Sequence, residues 1–147
     1  MAIDYISRKD TIQIIIPLHP RTSGILKEKL KPKLYDSVKQ NEWIKIILPV
    51  SYLDMIMLEK NAKLIMTDSG GVQKESHFFK KPCIILRPET EWTELVRNGT
   101  AIIADADTSK IIDSYHFFKT NKNFSFPPFF GDGNAAEFIC KKIIKNF

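Results

Sequence analysis

The segment Thr67-Asp68-Ser69-Gly70-Gly71-Val72-Gln73-Lys74-Glu75 holds the residue types that an anionic ligand needs. An apolar run, Lys63–Thr67, leads straight into Ser-Gly-Gly, and a helix-compatible stretch follows. Ser69 suits the position before a helix, where its hydroxyl accepts from a free backbone N–H. Gly70 and Gly71 have no side chain, so a ligand can come close to the backbone. The helix start then offers unpaired N–H donors and a partial positive charge, which together make a phosphate site. Glu75 falls one turn beyond Gly71, on the same helix face. A carboxylate there can accept both hydroxyls of a ribose while the amides hold an attached pyrophosphate. Taken alone, Gly-Gly also fits an ordinary strand-to-helix turn, and Glu75 a solvated helix position. No Gly-Lys-Ser/Thr closes the segment and it is not Gly-x-Gly-x-x-Gly, so ATPase and dinucleotide readings lose support.

Other polar residues are weaker candidates. In His19-Pro20-Arg21, an imidazole and a guanidinium at a strand end suit a phosphate or a sugar hydroxyl. His19 equally suits a role bonding loop backbone, and Arg21 reads better as the partner of a surface acid. His77 and His116 sit on helices and read as structural or exposed. No pair of histidines has ligand spacing, so neither a catalytic metal nor a cofactor is expected. Arg87 with Glu89, Glu91 and Glu94 reads as a buried arginine–carboxylate brace under the phosphate loop rather than an acid–base pair. No catalytic residue is assigned.

The elements that must position these groups alternate. Strand-like runs fall at Thr11–Leu18, Ile44–Val50, Lys63–Thr67, Pro82–Arg87 and Thr100–Ala104. Helical stretches fall at Thr22–Lys31, Tyr52–Asn61, Gly71–Lys80, Glu91–Asn98, Thr108–Lys119 and Gly133–Lys145. Leu53, Ile56, Met57 and Ala62 mark one side of the helix over Tyr52–Asn61. Gly99 stands where a left-handed residue closes a helix. Nearly continuous apolar strands separated by helices predict an α/β domain, a Rossmann-like parallel sheet covered on both faces. In such a sheet ligands sit beyond the carboxyl ends of the strands, which is where the polar segments fall. The Phe-rich stretch Asn121–Gly133 is expected to pack against the domain or a neighbouring lobe.

The chain has 147 residues, 44% hydrophobic and 27% charged, which suits a single folded domain and argues against disorder. Its net charge of +5 comes largely from two lysine groups, Lys27, Lys29, Lys31 and Lys33, and Lys141, Lys142 and Lys145, both read as solvated helix faces. Cys83 and Cys140 form no disulfide framework and no zinc pattern, and each reads as a small buried hydrophobe. With no signal core and no apolar run of membrane length, a cytoplasmic protein is expected, with neither nucleic acid nor membrane as a partner.

Several motifs, in order over nearly the whole chain, resemble the non-hydrolysing UDP-N-acetylglucosamine 2-epimerases. They are Pro17-Leu18-His19-Pro20-Arg21-Thr22, Tyr52-Leu53-Asp54, Asp68–Glu75, Lys81–Arg87, Glu89-Thr90-Glu91-Trp92 and Gly131-Asp132-Gly133-Asn134-Ala135. The resemblance implies the second lobe of a two-lobed GT-B architecture, with a UDP-sugar in the cleft and the N-terminal lobe as partner, in a full-length protein that is a candidate homodimer. It implies interconversion of UDP-N-acetylglucosamine and UDP-N-acetylmannosamine by elimination and re-addition of UDP. Ser69, Gly70 and Gly71 match the family's phosphate contacts and Glu75 its ribose carboxylate. Met55 falls where an aromatic residue often lies beside uracil, and His19 completes the expected UDP-binding set. The acid–base carboxylates belong mainly to the first lobe, so this chain alone is expected to bind without turnover. The His-Arg-Arg-Glu segment that usually opens this lobe is absent, so the chain is expected to begin just after it. Lys74 replaces a common second Glu, and Trp92 replaces an arginine near the phosphates. Thr-Glu-Trp is closer to relatives acting on UDP-2,3-diacetamido-2,3-dideoxyglucuronate, an alternative substrate. A glycosyltransferase lobe and a non-enzymatic nucleotide-binding fragment are the other readings.

Overall fold

A computed structural model of the chain describes residues 1–18 and 20–146, and of residues 20, 21, 23 and 27 the backbone alone. The elements run α1 (Ala2–Asp10), β1 (Ile14–Pro17), α2 (Pro20–Lys29), α3 (Pro32–Lys39), β2 (Ile44–Ile47), α4 (Tyr52–Asn61) and β3 (Ile65–Thr67). They continue α5 (Gly70–Phe78), β4 (Cys83–Ile85), α6 (Thr93–Arg97), β5 (Ala101–Ile103), α7 (Thr108–Thr120) and α8 (Ala135–Asn146). All strand pairs are parallel: β1 pairs with β2, and β3, β4 and β5 follow in that order. The ladders thus form two groups, one of two strands and one of three, and each strand is three or four residues long.

The central strand β4 shows why its segment is apolar at every position. Ile84 points to one face and joins a cluster with Ile6, Ala104, Tyr115 and Phe118. Cys83 and Ile85 point to the other and join Ile65, Leu95 and Ala101. Both faces are covered, so strict alternation of polar and apolar residues has no place there. Each such isoleucine contributes about 1.5–3 kcal/mol by leaving water.

Two helices lie outside the elements expected from sequence. α1 buries Ala2 and Ile6, and its acids anchor it to distant segments. Asp4 accepts from Arg8 Nε at 3.0 Å, Ser37 Oγ at 2.9 Å and Asn41 Nδ2 at 2.8 Å. Asp10 accepts from Tyr115 Oη at 2.6 Å and Lys119 Nζ at 2.7 Å, and these two donors hold its carboxyl below the usual carboxylate range. α3 starts at Pro32, whose fixed φ and missing N–H suit a first helical position. The helix over Thr93–Arg97 ends as expected: Asn98 caps it and Gly99 follows at φ +76°.

The Phe-rich stretch packs on the domain. Phe124 joins the α7 cluster, while Phe126, Phe129 and Phe130 surround His77 at centroid distances of 5.3–5.6 Å. His77 is buried and its Nε2 lies 2.6 Å from the Pro127 carbonyl, a structural role. α8, by contrast, is exposed along its length, including Phe138, Ile139 and Ile144. The lysines of the two basic groups whose side chains are described are exposed too.

Cys140 lies on α8 and is exposed, not buried as its apolar neighbours suggested, because nothing among the described residues covers that face. Cys83 is fully buried, and burial, with some help from the charge of Glu59 and against the Ser76 hydroxyl, pushes its thiol up to about 12. Only the thiolate reacts. In the native protein a thiol reagent should therefore modify Cys140 and reach Cys83 on the order of 100-fold more slowly, with both reacting in denaturant. Mass spectrometry of the timed reaction checks this.

Candidate functional site

The three-stranded sheet places the amino ends of α5, α6 and α7 at its carboxyl edge, since each helix directly follows a strand of that sheet. At α5 the sequence builds a cap. Ser69 is in extended conformation and its Oγ accepts from Val72 N at 3.5 Å, while its own N–H donates to Thr67 Oγ1 at 3.0 Å. Gln73 N–H donates to the Ser69 carbonyl at 3.1 Å, the first turn of the helix. The Gly70 and Gly71 amides donate to no group among the described residues. Two donors at the positive end of a nine-residue helix are thus left for an outside acceptor.

The loop after β4 holds this turn in place. Trp92 Nε1–H donates to the Gly70 carbonyl at 2.8 Å, and Thr90 Oγ1 to Gln73 Oε1 at 2.5 Å. Arg87 and Glu91 do pair, at 3.3 Å, but the brace is exposed and not buried as expected, an i,i+4 pair worth about 0–1 kcal/mol. Its carboxylate leans on Gly70, where a methyl group would run into Glu91 Oε1. Lys74 does not project toward the free amides; its ammonium lies 4.9 Å from the Trp92 ring centroid and 4.7 Å from that of Phe130.

Glu75 is half-buried on α5, one turn past Gly71, and its carboxylate takes no hydrogen bond among the described residues. Met55 is half-buried one turn into α4, a helix capped by Ser51 through Asp54 N at 3.2 Å. α4 packs against α5, so Met55 and the Ser69–Glu75 segment lie on adjoining helices. His19 lies outside the described residues, as does the side chain of Arg21. Among the described residues no cluster of three His, Cys, Asp or Glu side chains could hold a metal, and no helix is long and apolar enough to cross a membrane.

Sequence reasoning misplaced one face and missed one residue. Leu53 and Met57 are 71% and 57% exposed, so they do not mark the packed side of α4. That side carries Glu59, 4% exposed, with both carboxylate oxygens lacking any partner. Burial first, and the nearby charge of Glu75 second, push its carboxyl up to about 7. A Met55-to-Glu59 step of one turn was the available signal.

Parallel strands covered by helices, with helix starts at the sheet's carboxyl edge, give a Rossmann-like fold of the GT-B kind. Comparison with known proteins agrees. The chain belongs to the UDP-N-acetylglucosamine 2-epimerase family, whose model matches residues 1–144. It is 46% identical over 129 residues to a UDP-N-acetylglucosamine 2-epimerase of Methanocaldococcus jannaschii, covering 87% of this chain and 34% of that protein. It is 38% identical over 132 residues to a UDP-2,3-diacetamido-2,3-dideoxy-D-glucuronate 2-epimerase of Pseudomonas aeruginosa, covering 90% and 35%. A crystal structure of the M. jannaschii UDP-GlcNAc 2-epimerase in complex with UDP-GlcNAc and UDP superposes with a TM-score of 0.82 at 42% identity, over 98% of this chain and 39% of that one. The chain therefore spans about a third of the length of the curated relatives it matches.

Proposed function

We propose that this chain is the UDP-holding lobe of a UDP-N-acetylglucosamine 2-epimerase. In this reading the Gly70 and Gly71 amides, with Ser69, take the diphosphate, Glu75 accepts the ribose hydroxyls, and Met55 packs against uracil. His19 completes the proposed set. The observation that carries the reading is the start of α5, where the Gly70 and Gly71 amides and, one turn behind them, the Glu75 carboxylate take no hydrogen-bond partner among the described residues. The complex of the M. jannaschii relative with UDP-GlcNAc and UDP supports it.

The proposed reaction removes a proton from C2 of the sugar while the C1–O bond to UDP breaks, giving a glycal. UDP then adds back as the proton returns to the opposite face of C2. Fixed amides aimed at the diphosphate stabilise the charge gathering on departing UDP, which makes them part of catalysis as well as of binding. The carboxylates that move the C2 proton are assigned to the other lobe, so this chain alone binds without turnover. Supplying that lobe should restore exchange of the C2 proton with solvent.

Titration of the chain with UDP, followed by amide NMR, tests the binding. Shifts should concentrate at Ser69–Val72, and Glu75→Gln should weaken UDP by about 10-fold, the worth of one charge-assisted hydrogen bond. A spectrum unmoved by UDP would sink the reading. A second substrate has one observation in its favour: Trp92, in Thr90-Glu91-Trp92, fills the place of a phosphate-side arginine and bonds the Gly70 carbonyl instead. Parallel titrations with UDP-N-acetylglucosamine and the diacetamido glucuronate sugar decide between them.

A further inference from the structure

Glu59 is the one buried carboxyl among the described residues, and the proposed site makes no use of it. It sits on α4, one turn past Met55, on the side that meets α5. Neither oxygen has a donor, and the residue is 4% exposed. The titratable groups that bear on it are Glu75 from α5 and the Cys83 thiol from β4, itself buried and protonated. No cation reaches it from either element. A buried carboxylate with no donor, within the field of a second carboxylate, is a costly arrangement, and the inexpensive form has one of the two neutral. Glu59 is the more buried, so it is the one that keeps the proton.

We propose that Glu59 is a positioning residue for Glu75: its neutral carboxyl backs Glu75 across the α4–α5 interface, leaving Glu75 as the only charge there and turned toward the ligand. This rests on the reading of Glu75 as the ribose clasp. When Glu59 loses its proton, a second negative charge appears behind Glu75. It must draw in water or a proton or push the neighbouring carboxylate aside, and it also faces an incoming diphosphate with like charge. Ligand binding is then weakened by deprotonation of a side chain that never touches the ligand.

The test is the affinity of the chain for UDP-N-acetylglucosamine between pH 6 and pH 8.5. In that sugar ester the diphosphate has no proton to lose over the range, which UDP itself does. The native chain should weaken several-fold as pH rises through about 7, where burial and Glu75 place the carboxyl of Glu59. Glu59→Gln keeps the shape and fixes neutrality, so its slope should be several-fold smaller than that of the native chain, any part due to His19 being common to both. Glu59→Met, neutral but unable to hydrogen-bond, separates charge from contact: it should show the same reduced slope as Glu59→Gln. Equal slopes in the native chain and Glu59→Gln overturn the inference and leave the ribose clasp standing. Absence of binding at every pH in every variant overturns the clasp, and the inference with it.

Discussion

Gly71→Ala should leave the fold intact, or slightly more stable, and cost at least about 10-fold in UDP affinity, with losses toward 100-fold if the methyl displaces the phosphate. A Cβ at Gly71 would meet only Ser69 Oγ, at 3.7 Å, an ordinary contact. The position is exposed and inside the first turn of α5, where alanine is about 0.5–1 kcal/mol better than glycine. Nothing in the free chain therefore resists the methyl group. A phosphate oxygen about 2.9 Å from the Gly71 nitrogen would meet it head-on. Thermal melts and UDP titration of the same sample read the two effects, which have opposite signs. A variant that melts higher and binds UDP as well as the native chain would place the ligand elsewhere. Gly70→Ala is a poorer test, because its methyl also dislodges Glu91 and with it the pair to Arg87.

Replacing Glu59 by methionine should stabilise the fold at pH 8 by up to about 3 kcal/mol and do much less near pH 4.5. The sign follows from proton counts. The carboxyl is held at about 7 in the folded chain against an ordinary value of 4.5. Below 4.5 both states carry the proton and Glu59 brings no pH-dependent penalty. Between the two values the unfolded chain has released its proton and the folded chain retains it, so stability falls as pH rises. Above 7 the loss is complete and constant. Methionine has similar length, needs no donor and does not titrate, so it removes the loss along with the unpaired oxygens. Urea denaturation at pH 4.5 and pH 8 measures the difference. A gain of the same size at both pH values would mean that Glu59 is not held protonated.

These effects concern residues that were legible in the sequence to different degrees. The start of α5 was readable because everything that makes it is local: an apolar strand, a capping serine, two glycines and a carboxylate one turn on. β4 was readable as a strand buried on both faces, since Cys83, Ile84 and Ile85 are all buried. Glu59 was not, because periodicity assigns a helix face by its apolar members, and Leu53 and Met57 outvoted it. Which side of α4 is packed depends on α5, a contact absent from the local pattern. α1 escaped for a related reason: Ala2 and Ile6 are too few to mark a stripe, and the helix is held largely by Asp4 and Asp10 bonding residues far along the chain. α3 did leave a signal in Pro32 before Leu34, Tyr35 and Val38. The long apolar runs at Thr11–Leu18 and Ile44–Val50 overstate their strands, because pairing extends only over Ile14–Pro17 with Ile44–Ile47.

The loop after β4 is tied to α5 at two points, Thr90 to Gln73 and the Trp92 indole to the Gly70 carbonyl, and is braced internally by the Trp92 N–H donating to Thr90 Oγ1 at 3.1 Å. The peptide planes that aim the glycine amides are therefore held by the protein's own bonds, even though glycine is the residue with most freedom to lose. A ligand arriving there finds its donors waiting, and the entropy of freezing them was spent when the protein folded.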